Sequence, residues 1–308
     1  MIVVCGEALV DLTPARVGGK DVYVPHAGGS PLNVAVTLAR LEAPASFLGR
    51  LSRDFFGQLL RRHLTANAVD LRYLREGPEL STLAFVHLVP GNEPAYLFYT
   101  ENSADRRLLL EDLPPSFPSD VQALHFGSLS LALEPGASTF ELCMRRERGA
   151  RLISLDPNVR PGVIADRGSY LTRLEGWIRL ADIVKVSSAD LAWLHPGERP
   201  ELVARGWLQL GPALVVVTLG VEGCVGLMDA GSVRLPGMPV EVVDTIGAGD
   251  AFMGGLLASL HHRGWLARGS LERLTAAEMS EVLAYANRTS ALTCARAGAE
   301  PPYRREVD

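Results

Sequence analysis

Runs of apolar, largely β-branched residues at 2–5, 46–49, 121–126, 151–155, 182–186 and 213–218 are each followed by a stretch whose apolar positions have helical spacing. Strands that read as continuous apolar runs are buried on both faces, and strand–helix alternation of this kind builds a parallel sheet between helices. An α/β fold with a mostly parallel central sheet is therefore predicted. Helices are expected over 31–42, where Val34, Leu38 and Leu41 share a face, and over 54–67, 250–262 and 276–296. Residues 13–27 and 82–100 break the alternation. Both are β-rich, and Leu83-Ala84-Phe85-Val86-His87-Leu88-Val89 and Tyr96-Leu97-Phe98-Tyr99 flank Pro90-Gly91-Asn92, which predicts a hairpin. Together they predict a small β-sheet lid over the C-terminal edge of the main sheet, with Pro114-Pro115-Ser116-Phe117-Pro118 as the connector back. All 308 residues are expected to form one domain with this appendage.

Composition narrows the partners. A net charge of -5 with no Lys/Arg run argues against nucleic acid and anionic membrane surfaces, which are bound by clustered cations. The basic residues are nearly all arginine, with Lys20 and Lys185 the lysines, a bias read as belonging to the source genome rather than to the mechanism. Met1-Ile2-Val3-Val4-Cys5-Gly6-Glu7 lacks a basic n-region, and no stretch reaches the ~18 apolar residues of a membrane span, so a cytoplasmic enzyme is expected. Cys5, Cys143, Cys224 and Cys294 are far apart and are expected to be free, mostly buried thiols. His261-His262, His125 and His26 are read as solvated or helix-terminal residues, with His26 near the lid.

The densest constellation is Val242-Val243-Asp244-Thr245-Ile246-Gly247-Ala248-Gly249-Asp250-Ala251-Phe252-Met253-Gly254-Gly255, an apolar run, then a Gly-rich turn, then a helix-like stretch. Small residues at 247–249 let backbone N–H groups converge at a helix start, where unpaired donors and partial positive charge favour a phosphoryl oxyanion. Asp250, directly after that anion hole, can take a proton from a hydroxyl attacking phosphorus. The bland alternative is a turn with Asp250 as a helix cap. Gly28-Gly29-Ser30-Pro31-Leu32-Asn33-Val34-Ala35 places glycines at a loop-to-helix junction, and Asn33 offers donors and acceptors to a polyol. Asp11 is an acceptor suited to a vicinal diol. Asp156-Pro157-Asn158-Val159-Arg160 follows a predicted strand, where Arg160 can pair with phosphate oxygens or a hydroxyl. No G-x-x-x-x-G-K-[ST] loop is present, so phosphates must be held by a helix terminus.

Asp-Thr-Ile-Gly-Ala-Gly-Asp followed by Ala-Phe-x-Gly-Gly resembles the C-terminal signature of PfkB/ribokinase-family carbohydrate kinases, and the Gly28–Ala35 segment is similar to the N-terminal one. The resemblance runs from Gly6-Glu7 to Arg296-Ala297-Gly298-Ala299. It implies a ribokinase-like fold and an ATP-dependent sugar kinase with Asp250 as base and Gly247, Ala248 and Gly249 as anion hole. Sugar contacts are implied for Asp11, Gly28, Gly29, Asn33 and Arg160, with Gly6–Leu12 as the first strand. ATP contacts are implied for Ser187, Thr218, Gly220, Gly223, Gly249 and Asn287. Lys185-Val186-Ser187-Ser188-Ala189-Asp190 falls where the family commonly has Asn-x-x-Glu, which organises Mg²⁺ and its waters; Ser187 and Asp190 are departures. Asp244 and the Ile246 carbonyl resemble a monovalent-cation site, suited to K⁺. Asp-x-Asn-x-Arg resembles fructokinases and 2-keto-3-deoxygluconate kinases, and Thr100 replaces an Arg common to both. With Glu101 beside it, that replacement disfavours an anionic substrate. Fructose is the leading expectation. The alternatives are 2-keto-3-deoxygluconate, ribose or a nucleoside as substrate, or a non-catalytic sugar-binding regulator on the same fold. A homodimer through the lid edges is implied by the resemblance alone.

Overall fold

The computed structural model describes residues 1–87 and 95–308. The predicted Pro90-Gly91-Asn92 turn lies outside them. The strands, in chain order, are β1 (Ile2–Cys5), β2 (Leu9–Val17), β3 (Lys20–Gly28), β4 (Ala45–Ser52), β5 (Leu74–Gly77), β6 (Leu83–His87), β7 (Ala95–Tyr99), β8 (Ala123–Gly127), β9 (Leu152–Asp156), β10 (Ile183–Ser187), β11 (Leu214–Thr218), β12 (Cys224–Met228) and β13 (Gly231–Leu235). Nine of them form one sheet in the order β13-β12-β11-β10-β9-β8-β1-β4-β5, parallel from β5 to β11 and closed by the antiparallel pair β12 and β13. β1 sits between β4 and β8, with Ile2 opposite both Ala45 and Ala123. The chain therefore departs to either side of β1, a topological switch that opens a crevice at the carboxyl ends of the strands.

Period-two alternation divides the interior into two cores. Ile2 and Val4 join the core beneath helices Ser30–Arg40, Ala248–His262 and Ala276–Cys294, whereas Val3 and Cys5 join the opposite one with Trp177 and Phe140. The helix Ala248–His262 is buried nearly throughout its length. Gly254 and Gly255 allow that close approach: a Cβ at Gly254 would fall 2.5 Å from Thr37, and one at Gly255 2.8 Å from Thr289. The two glycines of the Ala-Phe-x-Gly-Gly string thus seat the helix between its two neighbours.

The small sheet has the order β3-β2-β6-β7. β2 and β3 form a hairpin over Gly18-Gly19, whose φ values of 57 and 79 suit the left-handed two-residue turn that matches strand twist. The sheet is larger than expected at its start, taking in residues from Leu9. Asp11, anticipated on the first strand of the main sheet, lies instead on β2 of the small sheet, opposite His26. The mostly apolar stretch from Ile2 to Leu12 conceals the break at Gly6-Glu7-Ala8, where one strand ends and the next begins in another sheet. His125 is likewise corrected from a solvated residue to a buried one: its Nδ1 lies 3.0 Å from Ser154 Oγ on the neighbouring strand, and burial pushes its imidazole down to about 3. All four cysteines are free, three of them buried.

Candidate active site

Asp250 stands in the first turn of helix Ala248–His262, which begins at Gly247 with φ 75 in the left-handed region. The Ala248 N–H is spent on the Thr245 carbonyl at 3.2 Å. Among the described residues no backbone oxygen accepts from the amides of Gly247, Gly249 or Asp250, so the helix start presents unpaired donors. The Asp250 carboxylate is held from three directions. Ser30 Oγ donates to Oδ1 at 2.7 Å, Asn33 Nδ2 to Oδ2 at 2.9 Å and Asn158 Nδ2 to Oδ1 at 3.3 Å. Asn33 is therefore committed to Asp250 through its amide nitrogen and keeps Oδ1 for another partner.

On one side of Asp250 is a recess lined by Glu7, Asp11, Gly29, Ser30, Asn33 and Arg160, roofed by Tyr96 and Phe98 of β7. Asp11 is buried and meets no protein donor among the described residues, which leaves both its oxygens for a ligand's hydroxyls. Burial, with Asp250 nearby adding to it and Arg160 opposing, pushes the Asp11 carboxyl up to about 7. Burial likewise raises Glu7 to about 7, although the Ser130 N–H and hydroxyl both donate to its Oε2. Its Oε1 has no partner. The Arg160 guanidinium donates to the carbonyls of Asn158 and Val159 and lies 5.9 Å from the Tyr96 ring centroid.

On the other side is a cleft of about 770 Å³ running from Gly247, Ala248 and Gly249 past Gly220, Val221, Met238, Val242 and Asn287 to Ala291. Arg160, Tyr96, Phe98, Ile246, Gly247 and Asp250 border both spaces, so the carboxylate stands at their junction. The arrangement suits group transfer: a recess, a carboxylate and a helix start with unpaired amides adjoin a larger cleft.

Comparison with known proteins identifies the family. The sequence profile described as "pfkB family carbohydrate kinase" matches residues 1–305. The chain belongs to the pfkB family of carbohydrate kinases. Among its relatives is a fructokinase of Rhizobium leguminosarum bv. trifolii, 42% identical over 261 residues, covering 84% of this chain and 79% of that one. The crystal structure of the Xylella fastidiosa fructokinase with bound ATP superposes with a TM-score of 0.91 at 28% identity, covering 99% of this chain and 96% of the other. The Vibrio cholerae O395 fructokinase, in fructose-, ADP- and calcium-bound form, gives 0.84 at 32% identity, covering 97% and 94%.

Within this pfkB kinase the remaining predicted residues divide. Gly220 and Asn287 line the cleft, and the Asn287 amide donates to the Pro236 carbonyl at 2.7 Å, leaving Oδ1 free. Thr218 ends β11, and Gly223, with φ 95, packs where a Cβ would strike the Leu235 carbonyl; both shape the turn without lining the cleft. Ser187 and Asp190 form a capping box at the start of helix Ser188–Leu194: Ser187 N–H and Oγ donate to Asp190 Oδ2, and Oδ1 accepts from Val159 N–H at 2.9 Å. Asp190 thereby braces the loop that carries Arg160. Asp244 accepts from the amides of Ile246 and Gly298, tying the turn before Gly247 to the loop after the last long helix. Thr100 lies outside both spaces; its carbonyl accepts from Arg106.

Ser30, Asn158, Glu7, Tyr96 and Phe98 were not singled out from sequence. Ser30 and Asn158 sit inside the quoted strings, so membership of those strings was their available signal. Glu7 carried one too, as a carboxylate directly after an all-apolar strand.

Proposed function

We propose that this kinase transfers the γ-phosphoryl group of ATP to a hydroxyl of fructose, the primary hydroxyl at C6, with Asp250 as general base. The observation that carries this is the position of Asp250 between the recess holding Asp11, Asn33 and Arg160 and the cleft that begins at the Gly247–Gly249 amides. At about 60 Å³ the recess is smaller than a hexose, so the reacting end of the sugar projects past Asp250 towards the cleft. Asp250 takes the hydroxyl proton as oxygen attacks phosphorus, the bond from the β–γ bridging oxygen breaks, and its electron pair leaves with ADP. The unpaired amides of Gly247, Gly249 and Asp250 receive the charge that develops on the transferred group.

Three carboxylates, Glu7, Asp11 and Asp250, surround the recess with Arg160 as the cation among its lining residues. That balance favours a neutral polyol over an acid sugar. Mg²⁺ bound with the nucleotide would offset phosphate charge. Asp190, whose oxygens already accept from Val159 and Ser187, would reach such an ion through its waters. Asp244, each of whose oxygens accepts one amide and keeps a lone pair, would hold K⁺ together with the Ile246 carbonyl. No helix among the described residues is long and apolar enough to cross a membrane, and four free thiols suit a reducing, cytoplasmic setting.

The test is ADP release from Mg-ATP with fructose, ribose, glucose, 2-keto-3-deoxygluconate, tagatose and adenosine. The highest kcat/KM is expected for fructose. A clear preference for 2-keto-3-deoxygluconate would overturn the charge argument, and one for ribose or adenosine would overturn the hexose reading.

A further inference from the structure

Lys185 sits at the centre of β10, between Val184 and Val186. Ile183 of β10 packs into the core beneath helix Ala248–His262, while Val184 and Val186 enter the opposite core, so the period of two aims Lys185 at that helix. Its side chain is 4% exposed, and Nζ donates to Asp156 Oδ2 at 2.8 Å. Asp156 ends β9 and is completely buried, with no partner on Oδ1. A Cβ built on Gly249 would lie 3.0 Å from Lys185 Nζ, which places the ammonium against the first turn of the helix, beside the amides left without acceptors. Nζ has three N–H donors, and among the described residues Asp156 is its one protein acceptor. Burial, the largest single influence, would lower the pKa of this ammonium; Asp156, with Asp190 and Asp250 adding to it, outweighs burial and raises it.

The residue type is informative. Of 30 basic residues only Lys20 and Lys185 are lysines, and apart from His195–Glu198 the other ion pairs among the described residues use arginine. A chain that uses arginine almost everywhere has a compact ammonium here. A planar guanidinium is bulkier and presents a fixed fork rather than a point charge. Burying a charge pair is an expensive way to brace a strand, since an apolar pair of similar volume serves stability as well or better.

We propose that Lys185 is a positioning residue for phosphoryl transfer: braced by Asp156, it fixes a positive charge beneath Gly249 and completes the anion-binding turn. A side chain at 249 would press on the ammonium at 3.0 Å, so glycine there suits Lys185 as well as the phosphoryl group. The proposal rests on the assignment of Gly247–Asp250 as the phosphoryl site, which Asp250→Asn tests separately.

The decisive variant is the full chain with Lys185→Met and Asp156→Asn together, which removes the pair without stranding a charge. Three quantities are read: kcat and KM for the sugar, thermal stability, and the affinity for ADP with and without aluminium fluoride in the presence of sugar. The double variant is expected to keep its melting temperature, sugar KM and ADP affinity close to wild type. Its kcat is expected to fall about 10²–10³-fold, the scale of losing one fixed anion-hole contribution. The tightening of ADP binding by aluminium fluoride, which mimics the transferring group, should fall at least about tenfold with it. Near-wild-type kcat, or aluminium fluoride binding undiminished, would overturn the proposal. So would kcat and stability falling together with ADP and aluminium fluoride affinities weakened equally, the mark of a structural brace. Should the double variant not fold, Lys185→Arg decides: a fall in kcat at unchanged sugar KM supports the proposal, and a wild-type rate overturns it. If Asp250→Asn is inactive while the double variant turns over normally, only the role of Lys185 falls; an active Asp250→Asn removes the phosphoryl-site reading beneath it.

Discussion

A Cβ on Gly28 would fall 2.0 Å from Asp11 Oδ2, so the carboxylate occupies the space that a side chain on the neighbouring strand of the small sheet would need. Gly28→Ala is therefore expected to push Asp11 out of the recess. The sugar KM should rise about 10-fold or more, the scale of a lost hydrogen bond to a charged group, while the ADP affinity stays at its wild-type value. Measuring sugar KM and ADP binding side by side checks this. An unchanged sugar KM would mean that Asp11 does not touch the sugar.

Asp250 accepts from Ser30 and Asn158 on Oδ1, which an asparagine oxygen can keep, and from Asn33 on Oδ2, where the Asn33 amide would turn over to accept from the new Nδ2. Asp250→Asn should fold normally and bind sugar within about threefold of wild type, yet lose kcat by about 10²–10⁴-fold, the range for removal of a general base. Steady-state kinetics alongside calorimetric sugar binding separates the two effects. A variant that retains near-wild-type kcat would exclude Asp250 as the base.

The parts of this site that were readable in sequence are those whose physics is local. Gly-Ala-Gly-Asp after an apolar run specifies a helix start with free amides whatever surrounds it, and the strand–helix alternation required a parallel sheet. What stayed hidden depends on distant partners. Ser30 and Asn33 reach Asp250 across separations of 220 and 217 residues, and Asn158 across 92. Nothing in the immediate neighbourhood of any one of them fixes those pairings. Lys185 is the instructive omission. Its scarcity read as genome bias, although a cation in the middle of Ile183-Val184-Lys185-Val186 already required a buried counter-charge, and Asp156 directly follows the predicted strand 151–155, which the structure pairs with this one.

Stability should depend on pH through the recess carboxylates. Asp11 and Glu7 both titrate near 7 in the folded chain, burial being the largest cause in each, whereas in the unfolded chain they ionise in the ordinary carboxylate range. Between about pH 4 and 7 the folded state thus holds more protons than the unfolded one, and stability falls as pH rises through that window. The melting temperature of the sugar-free enzyme is expected to drop from pH 5 to pH 8. Asp11→Asn should flatten that drop, gaining on wild type at pH 8 relative to pH 5. Parallel wild-type and variant curves would contradict the raised titration of Asp11.

The small sheet presents apolar side chains on both faces. Strand alternation turns Tyr96 and Phe98 towards the active site, and Leu97 and Tyr99 away from it. The outward residues join Tyr23 and Phe85, with ring centroids 5.0 Å apart for Tyr23–Phe85 and 5.5 Å for Phe85–Tyr99. Tyr23, Leu97 and Tyr99 are 54%, 59% and 59% exposed, and contiguous exposed apolar side chains of this kind mark an interaction surface. A second copy of the chain, meeting this one small sheet to small sheet, would cover them. Sedimentation equilibrium should accordingly report a dimer. Leu97→Glu with Tyr99→Glu should shift it to monomer, because each small sheet would bring its new carboxylates into an apolar contact. Neither residue lines the recess or the cleft, so a monomeric variant that keeps its sugar KM would show that the pairing is separate from the site. A wild-type monomer, or a variant that remains dimeric, would rule out association through this face.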